Sequence, residues 1–107
     1  MSLDEEARGA AWVLTAFDHS AAELNAPIRE RRLVSPQEAG GEYFDRGLYV
    51  MIVIDAGGHR HKETFPEEHL ADLHRSQKLR AELLAQITSF IQSFTPPPEP
   101  PKRRIGF

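Results

Sequence analysis

The sequence predicts an α+β fold: an N-terminal helix, an antiparallel sheet of two or three strands built on a β-hairpin, a long C-terminal helix and an extended proline-rich tail. Three observations carry this expectation. An amphipathic stripe runs from Leu3 to Leu24. A continuous apolar run of strand length, Leu48–Ile54, stands mid-chain between turn signals. A second amphipathic stretch follows Pro66 and reaches Phe94.

The first helix is expected over Leu3–Asn25. Ser2 and Glu5 have the spacing of a capping box, in which each side chain satisfies a backbone N–H at the helix start. Asp4, Glu5 and Glu6 put negative charge in the first turn, where the helix dipole favours it. Apolar residues recur at Leu3, Ala7, Ala10, Leu14, Phe17, Ala21 and Leu24, a heptad-like stripe that Trp12, Val13 and Ala16 widen. The alanines on it allow close approach of another helix. Gly9 weakens the helix by ~1 kcal/mol relative to alanine, and Ala26-Pro27 ends it. A short strand at Trp12–Phe17 is the competing reading, outweighed by the capping signal and the length of the stripe.

Ile28–Val34 reads as a charged edge strand, its arginines discouraging open-ended pairing. Ser35-Pro36 and Gly40-Gly41 flank a loop. Leu48–Ile54 is apolar at successive positions, the pattern of a central strand or of one covered on both faces. Asp55-Ala56-Gly57-Gly58 is a turn, and Arg60–Phe65 alternates as the hairpin partner. Pro66 suits the first position of a helix with Glu67 and Glu68 in its first turn and Thr64 or Phe65 as cap. Leu70, Leu73, Leu83, Leu84, Ile87, Phe90, Ile91 and Phe94 form the apolar face. The stripe lapses at Ser76-Gln77-Lys78, marking a kink or a second helix capped by Ser76.

The 107 residues divide into one domain, 1–94, and a basic tail, 95–107, in which five of the first seven residues are proline. Proline fixes φ and donates no hydrogen bond, so the tail reads as polyproline II. Hydrophobic content of 40% and charged content of 27% match a folded chain. The absence of cysteine excludes disulfides, thiolate metal sites and cysteine nucleophiles, and it fits a reducing compartment. The acidic N-terminus lacks the pattern of a signal peptide, and no apolar run approaches the ~20 residues of a membrane helix. A cytoplasmic protein with no membrane partner is expected.

Net charge is −3, spread unevenly. Residues 1–27 carry five acids and one base, 28–94 ten acids and nine bases, and 95–107 one acid and three bases. Without a concentrated basic face on the folded part, nucleic acid is disfavoured as a partner.

Among candidate sites, His59, His61 and Glu63 would share one face of a strand, a weak metal pattern whose bland counterpart is a solvated strand beside a glycine turn. Asp55, at the end of the central strand, is the best single acid–base candidate, although aspartates there commonly start turns. No organised catalytic motif is present, Gly40-Gly41 and Gly57-Gly58 lack phosphate-loop spacing, and no cofactor is expected. Arg29, Arg31 and Arg32 form the one basic cluster before the tail. In the tail Lys102, Arg103, Arg104, Ile105 and Phe107 have the layout of a docking peptide beyond a stiff spacer. The expectation is a non-catalytic interaction protein (adaptor, accessory subunit or inhibitor-like binder) that uses its amphipathic helices and tail to bind another protein or a second copy of itself. The alternatives are a small metal-binding or enzymatic domain around His59 and His61, and an anion or nucleic-acid binder through Arg29, Arg31, Arg32 and the tail.

Overall fold

The computed structural model describes residues 3–96; the capping signal at Ser2 and the tail residues Lys102, Arg103, Arg104, Ile105 and Phe107 lie outside the described residues. The order of elements is α1 (Leu3–Glu23), β1 (Ile28–Val34), α2 (Pro36–Ala39), α3 (Gly41–Asp45), β2 (Leu48–Asp55), β3 (Arg60–Pro66), α4 (Glu67–Asp72), a 3-10 turn (Leu73–Arg75) and α5 (Gln77–Phe94). The chain is α+β, with three antiparallel strands in the order β1-β2-β3. No helix among the described residues is long and apolar enough to cross a membrane.

The apolar run takes the central place. Ile52 pairs with Arg32 on one side and Lys62 on the other, and Val53 with Arg31 and His61. Because side chains alternate along a strand, Tyr49, Met51, Val53 and Asp55 point to one face and Leu48, Val50, Ile52 and Ile54 to the other. The helices cover the first face. Val13 and Phe17 of α1, Leu70 of α4 and Leu83, Ile87, Phe90 and Ile91 of α5 close over Met51, Val53 and Phe65. Among the described residues, the second face is covered at one end, where α2 and α3 lie over β2 and Val34, Leu48 and Val50 are buried.

Several local expectations need correction. The buried stripe of α1 is Gly9, Val13, Phe17 and Ser20, whereas Ala7 is exposed and Ala10 and Ala21 are half-buried. Gly9 sets this rotation, because a Cβ built there would stand 2.0 Å from the Leu70 carbonyl oxygen. The close approach of α1 to α4 thus runs through the glycine. The helix stops at Glu23, where Ala26 N–H bonds to Ala21 O and Asn25, with φ 51, bonds to Ala22 O. This is a Schellman closure with asparagine in the left-handed position.

The expected loop after Ser35 contains two short helices; Ser35 Oγ accepts the Glu38 N–H at 3.3 Å, and Pro36 opens the first turn. Pro66 is not the first helical residue. It closes β3 in extended conformation and precedes α4 as its cap, a position where neither the strand edge nor the helix needs its missing N–H. The lapse at Ser76 is a true break, with Ser76 Oγ accepting the Leu79 N–H at 3.1 Å and Arg80 Nη1 donating to Leu73 O at 2.6 Å.

Gly9→Ala should lower stability by about 1–3 kcal/mol through overpacking, despite alanine's ~1 kcal/mol advantage in a helix interior. The measurement is the urea midpoint. An unchanged or raised midpoint would mean that α1 and α4 approach less closely than described.

Candidate functional site

The ends of β2, β3 and α5 meet around one carboxylate. Asp55 is the last residue of β2, and the turn to β3 folds back over it. Asp55 Oδ1 accepts the backbone N–H of Gly57 and of His59, each at 2.9 Å, while the Gly58 N–H bonds to Asp55 O. Gly58 sits at φ 86, a conformation that suits glycine. His61 Nε2 donates to Asp55 Oδ2 at 2.9 Å, and His59 Nδ1 stands 3.3 Å from Oδ1. The opposite end of the contact is aromatic: the His61 ring stacks on Phe94 with centroids 4.4 Å apart, and Phe94 meets Phe90 edge-on. A single carboxylate therefore ties the hairpin turn to the last residue of α5.

The electrostatics follow from these donors. The Asp55 carboxyl is lowered to about 2, first by the His61 hydrogen bond, then by the His59 N–H, against the opposing effect of desolvation. So acidic a carboxylate is a poor base near neutral pH, where general bases work best with pKa values near the operating pH.

The residues singled out from sequence are distributed as follows. His61 and Glu63 share the helix-facing side of β3, opposite Val53 and Met51. Glu63 is drawn to the strand edge, where its Oε1 accepts the Thr64 N–H at 2.9 Å. The group that joins both histidines is Asp55. Among the described residues, no group of three or more histidine or acidic side chains is arranged to hold a metal ion. The arginines of β1 do not form one patch, since strand alternation divides them. Arg31, on the helix side, donates to both Asp18 oxygens at 2.9 and 2.7 Å, which lowers the Asp18 carboxyl. Arg32, on the other side, reaches Glu38 at 3.3 Å. Arg29 is exposed at an irregularity in the ladder between Ile28 and Glu30.

A second surface emerges from the strand register. Beyond the cover of α2 and α3, the outer face of the sheet continues as half-buried Ile52 and Ile54. Arg32 and Lys62 flank Ile52, and Glu30 and Arg60 flank Ile54. Among the described residues, Arg60 and Lys62 have no carboxylate within ion-pair distance, in contrast to Arg31 and Arg32. The sequence carries the signal for this face: a doubly apolar strand beside a partner strand with Arg60 and Lys62 two apart.

Comparison with family models, curated proteins and solved structures gives no match.

The sign of the Asp55 contribution is set by its low folded value. Against an ordinary aspartate at about 3.9, the stabilisation is full above about pH 4 and is lost as pH falls through about 2. Asp55→Asn should therefore lower the thermal midpoint near neutral pH, and the gap to the wild type should close as the pH is taken from about 4 towards 2. A gap that is constant with pH would mean that the carboxylate charge does not hold the turn.

Proposed function

We propose that the protein is a non-catalytic protein-interaction module whose docking surface is the open outer face of the sheet, and whose partner is an acidic, apolar-patterned segment of another protein. The observation that carries this reading is the strip Ile52–Ile54, left open by the described helices and bordered by Arg60 and Lys62, cations with no ion-pair partner among the described residues. An apolar strip with a charged rim is the anatomy of an interface whose core supplies affinity and whose rim supplies selectivity and encounter rate.

The apolar faces of α1 and α5 lie against their own sheet, which moves the interaction reading from the helices to the sheet. Phe44 and Leu84 are exposed singly, which is ordinary for a surface. Anion capture by the arginine cluster is less well supported, because Arg31 and Arg32 already face Asp18 and Glu38. Catalysis at Asp55 is less well supported too, its charge being committed to the turn. The docking role of Ile105 and Phe107 rests on their sequence layout and is tested alongside the sheet.

Panning displayed random peptides on the full-length chain should enrich sequences in which Asp or Glu alternates with apolar residues. Arg60→Glu combined with Lys62→Glu should weaken a selected peptide at least about tenfold, or ~1.4 kcal/mol, and added salt should weaken the wild-type complex. A chain truncated after Phe94 should keep this binding. No enrichment, or peptides that bind Ile52→Asp and the double reversal as well as wild type, would contradict the reading. Loss of binding on truncation alone would assign docking to the tail.

A further inference from the structure

The sheet has two edges, and they are finished differently. Asp55 N–H bonds to His59 O and Glu67 N–H to Gly47 O on the β3 side, whereas Ala56 N–H bonds to Pro27 O on the β1 side. Odd-numbered residues of β2 therefore direct their backbone groups to β3 and even-numbered ones to β1. It follows that the outward groups of β3 belong to Arg60, Lys62, Thr64 and Pro66. Both of Thr64's are occupied, its N–H by Glu63 Oε1 and its carbonyl by Gln86 Nε2 of α5, each at 2.9 Å. Pro66 has no N–H. This edge is blunted at its Thr64–Pro66 end, which leaves the outward groups of Arg60 and Lys62 without a partner among the described residues. On β1 the outward groups are those of Arg31 and Leu33, and among the described residues no hydrogen bond reaches them. An open edge of this kind is a template for a further strand.

The charges of β1 specify which strand fits. We infer that β1 pairs antiparallel with β1 of a second copy across a two-fold axis at Arg31, giving one continuous six-stranded sheet. In this register Glu30 stands opposite Arg32 of the partner subunit, and Arg32 opposite Glu30 of the partner subunit, so two complementary pairs form on the outer face. Directly opposed charges of opposite sign stabilise a sheet, and like charges destabilise it. The neighbouring two-fold registers are less favourable: an axis at Glu30 sets that carboxylate against itself and Arg29 against Arg31 of the partner subunit, and an axis at Arg32 sets Arg32 against itself and Glu30 against Val34 of the partner subunit, so that no complementary pair forms. Arg31 lies on the favoured axis, and its charge is already met by both oxygens of Asp18. A two-fold pairing consumes both open edges at once and closes, leaving only the partly blunted β3 edges outside. The pairing uses a different surface from the peptide docking proposed above and does not depend on it.

The test is sedimentation velocity on the full-length chain, with circular dichroism melts to confirm that each variant folds. The wild type should be a dimer. Glu30→Arg and Arg32→Glu should each raise the dimer dissociation constant at least about tenfold, or ~1.4 kcal/mol, and the double swap should restore dimerisation. The chain has no cysteine, so the register can be read directly by single substitutions. Opposed hydrogen-bonded residues have Cα atoms about 5.5 Å apart, within disulfide range. Arg31→Cys should therefore cross-link under mild oxidation, whereas Arg29→Cys and Leu33→Cys should not. A wild type that stays monomeric at its highest soluble concentration, a dimer indifferent to the charge swaps, or cross-linking at position 29 or 33 in place of 31 would overturn the inference.

Discussion

A strand that is apolar at successive positions calls for pairing on both edges and cover on both faces, and the structure is organised around meeting that demand for β2. Pairing is met by β1 and β3. The inner face is met by three helical segments, with Phe17, Phe65, Leu70, Ile87 and Ile91 fully or almost fully buried around Met51 and Val53. Each such side chain contributes roughly 1.5–3 kcal/mol on burial. The outer face is met over Leu48 and Val50 by the short α2–α3 segment and, among the described residues, is left open at half-buried Ile52 and Ile54. Covering both faces of a sheet is hard for few elements, because the fraction of surface buried on folding rises with chain size and is low for a small unit.

The outer face and the two sheet edges follow from this arrangement. The exposed half of the outer face is apolar at its centre because it belongs to the central strand, and charged at its borders because its neighbours are edge strands. The two edges carry different finishes. α5 crosses near β3 and spends Gln86 on its free carbonyl, whereas α1 meets β1 through an ion pair between side chains, Asp18 and Arg31, that leaves the backbone untouched. The Asp55 cluster has a different role. It lies where the hairpin turn, the His61 ring and the last turn of α5 converge, so it ties the turn between β2 and β3 to the end of α5.

Much of this was legible in the residues. The 3.6-residue stripes located α1 and α5, the apolar run located β2, and Gly57-Gly58 located the hairpin turn. The break at Ser76 was readable because a capping residue coincided with a lapse in the stripe. Other features depend on tertiary contacts that periodicity does not encode. The rotation of α1 is set by Gly9 meeting the Leu70 carbonyl, a contact between residues 61 positions apart, and propensity marks that glycine only as a weak point. The helices at Pro36–Ala39 and Gly41–Asp45 are too short for a periodic signal. Arg29, Arg31 and Arg32 look like a cluster along the chain, yet the two-residue period of a strand sends Arg31 and Arg32 to opposite faces. Asp55 and His61 were each visible as candidates; their meeting depends on the turn folding Gly57 and His59 back onto the carboxylate.

The dominance of β2 is tested most directly by native-state amide hydrogen exchange resolved by residue. The amides of Val50 to Ile54, bonded alternately to β1 and β3, should be the slowest in the sheet and should open only with global unfolding, together with Leu83, Ile87 and Ile91 of α5. If the β2 amides instead exchange as fast as the outward-facing amide of Lys62, the central strand is not the element on which the rest of the fold is built.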